Sequence, residues 1–152
     1  MKVFIVYVVS VLTLSIGLLF LNKSQTSVSF IKPTSSPVSE NVDIKANFTI
    51  ITGDITRSFK ADKYHNQSSD VYISKDDPTA IHVKKKGITY DDLFKTLPMK
   101  LTKDCLITGD GEALCDGKGG TLKFYLNDVE TPDLLEKAIK DGDKTLIKFL
   151  PE

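Results

Sequence analysis

Tryptophan is absent from this 152-residue chain, and cysteine and histidine occur only twice each. Cys105 and Cys115 are too few for a zinc site made of cysteine alone, and they are not spaced as C-x-x-C. Net charge is missing too, since acidic and basic residues balance at 20 each. From Ala46 onward 16 basic side chains meet 18 acidic ones. Nucleic-acid binding calls for a clustered basic face, so nucleic acid is not an expected partner. The single dense basic run, Lys84-Lys85-Lys86, reads as a solvated strand end and turn. No Ser/His/Asp or paired-carboxylate pattern stands out, although such sets are assembled in space rather than along a chain. Gly109-Asp-Gly-Glu112 and Asp141-Gly-Asp143 lack the ligand spacing and distal Glu of an EF-hand. Gly117-Lys-Gly-Gly120 lacks the upstream glycine of a phosphate loop. All three read as hairpin turns, and no cofactor is implied.

What the chain does have is one long uncharged run, Val3 to Leu21. At 1.5 Å per residue it makes a helix of roughly 28 Å, about the thickness of a bilayer's hydrocarbon core. Its exit, Leu21-Asn-Lys-Ser-Gln-Thr-Ser27, holds neither an A-x-A-like site nor a lipobox cysteine. Residues 1–21 are therefore expected to be an uncleaved membrane anchor; cleavage would make the protein secreted. Residues 22–45, rich in Ser and Thr with Pro33 and Pro37, are expected to be an extended tether. A domain behind an N-terminal apolar segment is usually translocated, which places residues 46–152 outside the cytoplasm.

That domain is organised around Gly87-Ile-Thr-Tyr-Asp-Asp-Leu-Phe-Lys-Thr-Leu-Pro98. Thr89 and Asp92 form a capping box in sequence. Tyr90, Leu93, Phe94 and Leu97 fall at i, i+3, i+4 and i+7 and make one apolar stripe. Pro98 stops the helix. Around it lie strand-like runs. Ala46–Thr52 and Ile55–Lys60 are expected to form a hairpin, followed by strands at Asp70–Ser74, Ala80–Lys84, Thr121–Leu126 and Thr145–Phe149. Thr131-Pro132 opens a turn or two of helix. A single greasy-faced helix among strands predicts an α+β fold with the sheet curled around the helix.

Cys105–Cys115 is symmetric about Asp110. In a hairpin turning on Gly109-Asp-Gly111, residues whose numbers sum to 220 oppose each other. Cys105 then faces Cys115 at about 4.5–5.5 Å between Cα atoms, and a structural disulfide is expected. The two histidines, His65 and His82, are the candidates for a weak copper or zinc site with Asp62 or Asp70. Their plainer reading is a turn polar group and a strand residue.

The segment Leu122–Phe149 resembles the end of β-grasp (ubiquitin-like) domains. More narrowly, Phe48–Phe149 is similar to an uncharacterised family of membrane-anchored extracytoplasmic domains of archaea and small-genome bacteria. The matching pieces are the Ile81-His82-Val83 strand, the Gly-Ile-Thr helix start at Gly87, the Lys103-Asp104-Cys105…Cys115 hairpin and the Lys140–Asp143 turn. The resemblance implies a β-grasp-like mixed sheet on one main helix and no assigned activity. Relatives carry more histidines on the strands before the helix, where this chain has Tyr72 and Lys84. The expected function is a non-catalytic binding or scaffold module that engages another envelope protein or a surface polymer. The rival expectation is an envelope thiol-redox or metal-binding protein built on Cys105, Cys115 and His82.

Overall fold

Alternation of apolar and polar residues over Asn41–Thr52 puts Ala46, Phe48, Ile50 and Thr52 on one buried face of the first strand. The structure, a computed structural model, describes residues 41–152. The expected anchor and all but the last five residues of the expected tether lie outside the described residues. Among the described residues no helix is long and apolar enough to cross a membrane.

The elements are β1 (Asn41–Thr52), β2 (Ile55–Thr56), β3 (Val71–Ile73), β4 (Ala80–Lys85), α1 (Tyr90–Thr96), β5 (Lys100–Leu101), β6 (Cys105–Ile107), β7 (Ala113–Cys115), β8 (Gly120–Leu126), β9 (Val129–Glu130) and β10 (Lys144–Pro151). Single 3-10 turns occupy Asp62–Tyr64 and Leu134–Glu136. Seven strands form one sheet in the order β3-β4-β1-β10-β8-β9, with β2 paired to the far end of β1. The central pair, β1 and β10, is parallel, with Asn47 beside Lys144 and Thr52 beside Phe149. The other pairs are antiparallel. The fold is thus mixed α+β, mostly sheet, with one α-helix.

Two expectations are corrected. Strand β1 starts at Asn41, not Ala46, so residues 41–45 are strand rather than tether: Ile44 and Lys45 register against Val83 and His82. The expected hairpin from Ala46 to Lys60 shrinks to two paired residues in its return arm, Ile55 and Thr56. The chain leaves the sheet after Thr56 because Phe59 turns into the core, where it is buried against the rings of Phe48 and Tyr64.

Helix α1 forms as its capping box requires. The Thr89 hydroxyl accepts from the Asp92 amide at 3.2 Å, and the Asp92 carboxylate accepts from the Thr89 amide at 2.9 Å. That second bond holds the Asp92 carboxyl below its usual range. Tyr90, Leu93 and Phe94 face inward and meet Phe48, Ile50, Ile81, Val83, Leu122, Phe124, Ile147 and Phe149 in one core. The second segment expected to be helical is only the 3-10 turn at Leu134–Glu136.

Strands β5, β6 and β7 make a separate three-stranded sheet. Its hairpin has the register expected from the spacing: Cys105 opposes Cys115, Leu106 opposes Leu114 and Ile107 opposes Ala113.

Candidate binding surface

The cysteines are joined in a disulfide, with Cα atoms 4.0 Å apart, closer than the expected range. The tip of that hairpin is tied down twice. Arg57 pairs with Glu112 while its Nε donates to Thr52 Oγ1 at 2.7 Å. The Lys63 ammonium donates to the Asp110 carboxylate at 2.8 Å and to the Gly109 carbonyl at 3.1 Å. Gly109 lies under the Tyr64 hydroxyl, which an added Cβ would meet at 2.3 Å, so only glycine fits there. The Asp110 carboxyl is held below its usual range by Lys63. The hairpin is therefore a fixed platform. Its Gly-Asp-Gly-Glu stretch is spent on these contacts.

The Asp141-Gly-Asp143 turn is likewise a brace. Asp141 accepts from the Lys45 amide at 2.9 Å, and the Gly142 amide donates to the Lys45 carbonyl at the same distance. Gly142 has φ +77°, which favours glycine. Asp143 is buried and accepts from the Tyr90 hydroxyl (3.4 Å), the Asn127 amide (3.1 Å) and the Lys140 backbone amide (2.9 Å). Burial pushes the Tyr90 hydroxyl up to about 12, and the Asp143 charge adds to it.

The two histidines are not brought together. His65 is buried, its Nε2 2.9 Å from the Phe59 carbonyl and its Nδ1 3.8 Å from the Asp62 carboxylate. His82 stands on the outward face of β4 and stacks on Tyr72, with ring centroids 5.3 Å apart. Asp70 pairs with Lys85 instead of a histidine. Among the described residues no group of three or more His, Cys, Asp and Glu side chains is gathered to hold a metal.

A broad concavity runs along β5. This strand is an edge of the small sheet, and the groove beside it, about 730 Å³, is lined by Thr89, Asp91, Leu101, Thr102, Asp133 and Leu135, with Lys103 and Glu136 at its rim. Leu135 is partly exposed against the core, and Leu101 is buried. Asp91 and Asp133 each pair with a lysine one helical turn on, Lys95 and Lys137. Comparison of the chain with known family models, curated proteins and solved structures finds no match. The geometry alone has to carry the reading.

Sequence reasoning missed this groove, because its walls come from α1, β5 and the Leu134–Glu136 turn, which are far apart along the chain. It also missed Arg57 and Lys63. Their roles depend on where the 57–64 segment passes the hairpin tip, and no local periodicity encodes that.

Proposed function

We propose that this is a membrane-anchored, extracytoplasmic, non-catalytic binding module of β-grasp type, which engages an extended segment of another envelope protein. Support for the fold type is the strand order: β1 and β10 parallel at the centre, an antiparallel partner on each side, and the helix following the second long strand. The anchor rests on the apolar run Val3–Leu21 and its length. A covalent staple on a short hairpin suits a small domain displayed in an oxidising compartment.

The observation that carries the binding role is the open edge of β5 beside an apolar-floored groove. An extended peptide adds to such an edge through main-chain hydrogen bonds, and alternate side chains fill the groove. Asp91 and Asp133 are already paired with Lys95 and Lys137, which leaves Glu136 as the lining carboxylate able to meet a basic residue of the segment.

Site-specific crosslinking tests this. A photo-crosslinking residue in place of Thr102, in cells, is expected to give a covalent adduct with an envelope protein. The same residue in place of Lys60 is expected to give none. Equal adducts at both positions, or adducts at neither, would sink the binding role. Compartment is tested by alkylating whole cells with a membrane-impermeant thiol reagent. Labelling of Cys105 and Cys115 only after reductant, without lysis, is the expected result. Labelling only after lysis and without reductant would put free thiols in the cytoplasm and shift the balance to thiol chemistry.

A further inference from the structure

Alternation on the central strands sends Asn47, Thr49 and Ile51 of β1, Lys144, Leu146 and Lys148 of β10, and Lys123 and Tyr125 of β8 to the face opposite the core. The register sets them in rows. Thr49, Leu146 and Tyr125 lie side by side, and next to them Ile51, Lys148 and Lys123. Ile51 and Leu146 are partly exposed and stand outside the core cluster.

The lysines of this face are not equivalent. Lys45 pairs with Asp77, Lys84 with Asp43 and Lys123 with Glu130. Lys144 and Lys148 have no side-chain carboxylate partner among the described residues, although the domain carries more acid than base. Lys148 directly opposes Lys123, whose charge is already met by Glu130 on the neighbouring strand, so Lys148 and Lys144 are the two cations of this face left open. Lys144 lies four residues along the same strand face, roughly 13 Å away. Between the two cationic points sit the Leu146 side chain and the Tyr125 ring.

We propose that this outward face binds a linear anionic polysaccharide. Carboxylates of the polymer meet Lys148 at one end and Lys144 at the other. The flat, partly apolar face of an intervening sugar ring rests on Tyr125 and Leu146, where dispersion contacts are available. The charge complementarity selects a polyanion, and the uncharged apolar strip between the cations selects one whose charges are separated by rings. This site is separate from the β5 groove and goes beyond the peptide-binding role. It draws on the proposed display outside the cytoplasm only for the choice of polymer.

The test uses the full chain in a neutral detergent, with immobilised polygalacturonate as probe and immobilised dextran and oligothymidylate as comparators. Salt-sensitive binding to polygalacturonate is expected, with none to dextran. Lys144→Gln with Lys148→Gln is expected to weaken binding ~10-fold. Lys60→Gln with Lys118→Gln, which removes the same charge elsewhere, should change it less than about 2-fold. Lys144→Arg with Lys148→Arg keeps both the charge and the binding, which separates charge loss from misfolding. No binding, equal losses in the two Gln pairs, or tighter binding to oligothymidylate each overturns the proposal. Glu136→Lys, at the groove rim, is expected to leave polygalacturonate binding intact while removing the Thr102 crosslink. Failure of the polymer test therefore leaves the peptide reading standing, and the converse also holds.

Discussion

In the seven-stranded sheet, Phe48, Ile50, Ile81, Val83, Leu122, Phe124, Ile147 and Phe149 all point into one core and are nearly inaccessible. The strands of the three-stranded sheet bury only Leu101 and Leu106 in that core, with Leu114 packed against it in part. They hold their place by a disulfide, by Arg57–Glu112 and by Lys63 on the hairpin tip. One region is built by burying area, about 25 cal/mol per Å² of apolar surface. The other is built by covalent and polar ties because it has too few side chains to bury. The lesson is that the two should fail differently.

The largest effect is expected in the big sheet. Ile147→Ala, at a fully buried position on the central strand, should cost about 2–5 kcal/mol. Denaturant unfolding checks this, with both sheets lost in one transition. Replacing Cys105 and Cys115 by Ser is expected to cost up to roughly 3 kcal/mol in the chain-entropy model. Hydrogen exchange is the sharper readout. Amides of β6 and β7 should lose protection well before those of β1 and β10, and uniform loss would erase the distinction between the sheets.

Alkaline pH offers a milder probe of the large sheet. A free tyrosine titrates near pH ~10, whereas Tyr90 is raised to about 12 by burial. The unfolded chain therefore releases this proton first. Tyr90's contribution is complete below about pH 10 and declines as pH rises from there through about 12. The denaturation midpoint of the native chain should fall over that interval more steeply than that of Tyr90→Phe. The smallest effect belongs to the small sheet. Glu112→Gln breaks a half-exposed ion pair and should cost less than about 1 kcal/mol. Its loss should appear as faster exchange at the Gly111 and Glu112 amides and not as a shifted midpoint.

Much of this division can be read in the residues. The register of Cys105 against Cys115 follows from the symmetry of the intervening nine residues about Asp110, and the capping box at Thr89 and Asp92 is a local signal. So is the alternation of Lys144, Leu146 and Lys148, which places them on one face. Partner choice is another matter. The pattern of β1 says which side chains are buried but not that β10 lies beside it, and two strands so distant in sequence share no local mark. Strand Asn41–Lys45 was hidden because its polar alternation, Asn-Val-Asp-Ile-Lys, looks like the end of a tether until β4 supplies a partner. The brace of Tyr90, Asn127 and Asp143 joins a helix start, a hairpin turn and a strand start, each of which reads separately as punctuation.

The parallel pairing of β1 with β10 also governs timing. Asn47 finds its neighbour at Lys144, after every other described strand has been made. Closing so long a loop costs entropy before any contact repays it, which slows folding. Until Lys144–Pro151 emerges, the centre of the large sheet has an open side, and the half-made domain stays threadable. If the proposed display outside the cytoplasm holds, that delay keeps the chain unfolded for passage through a narrow channel.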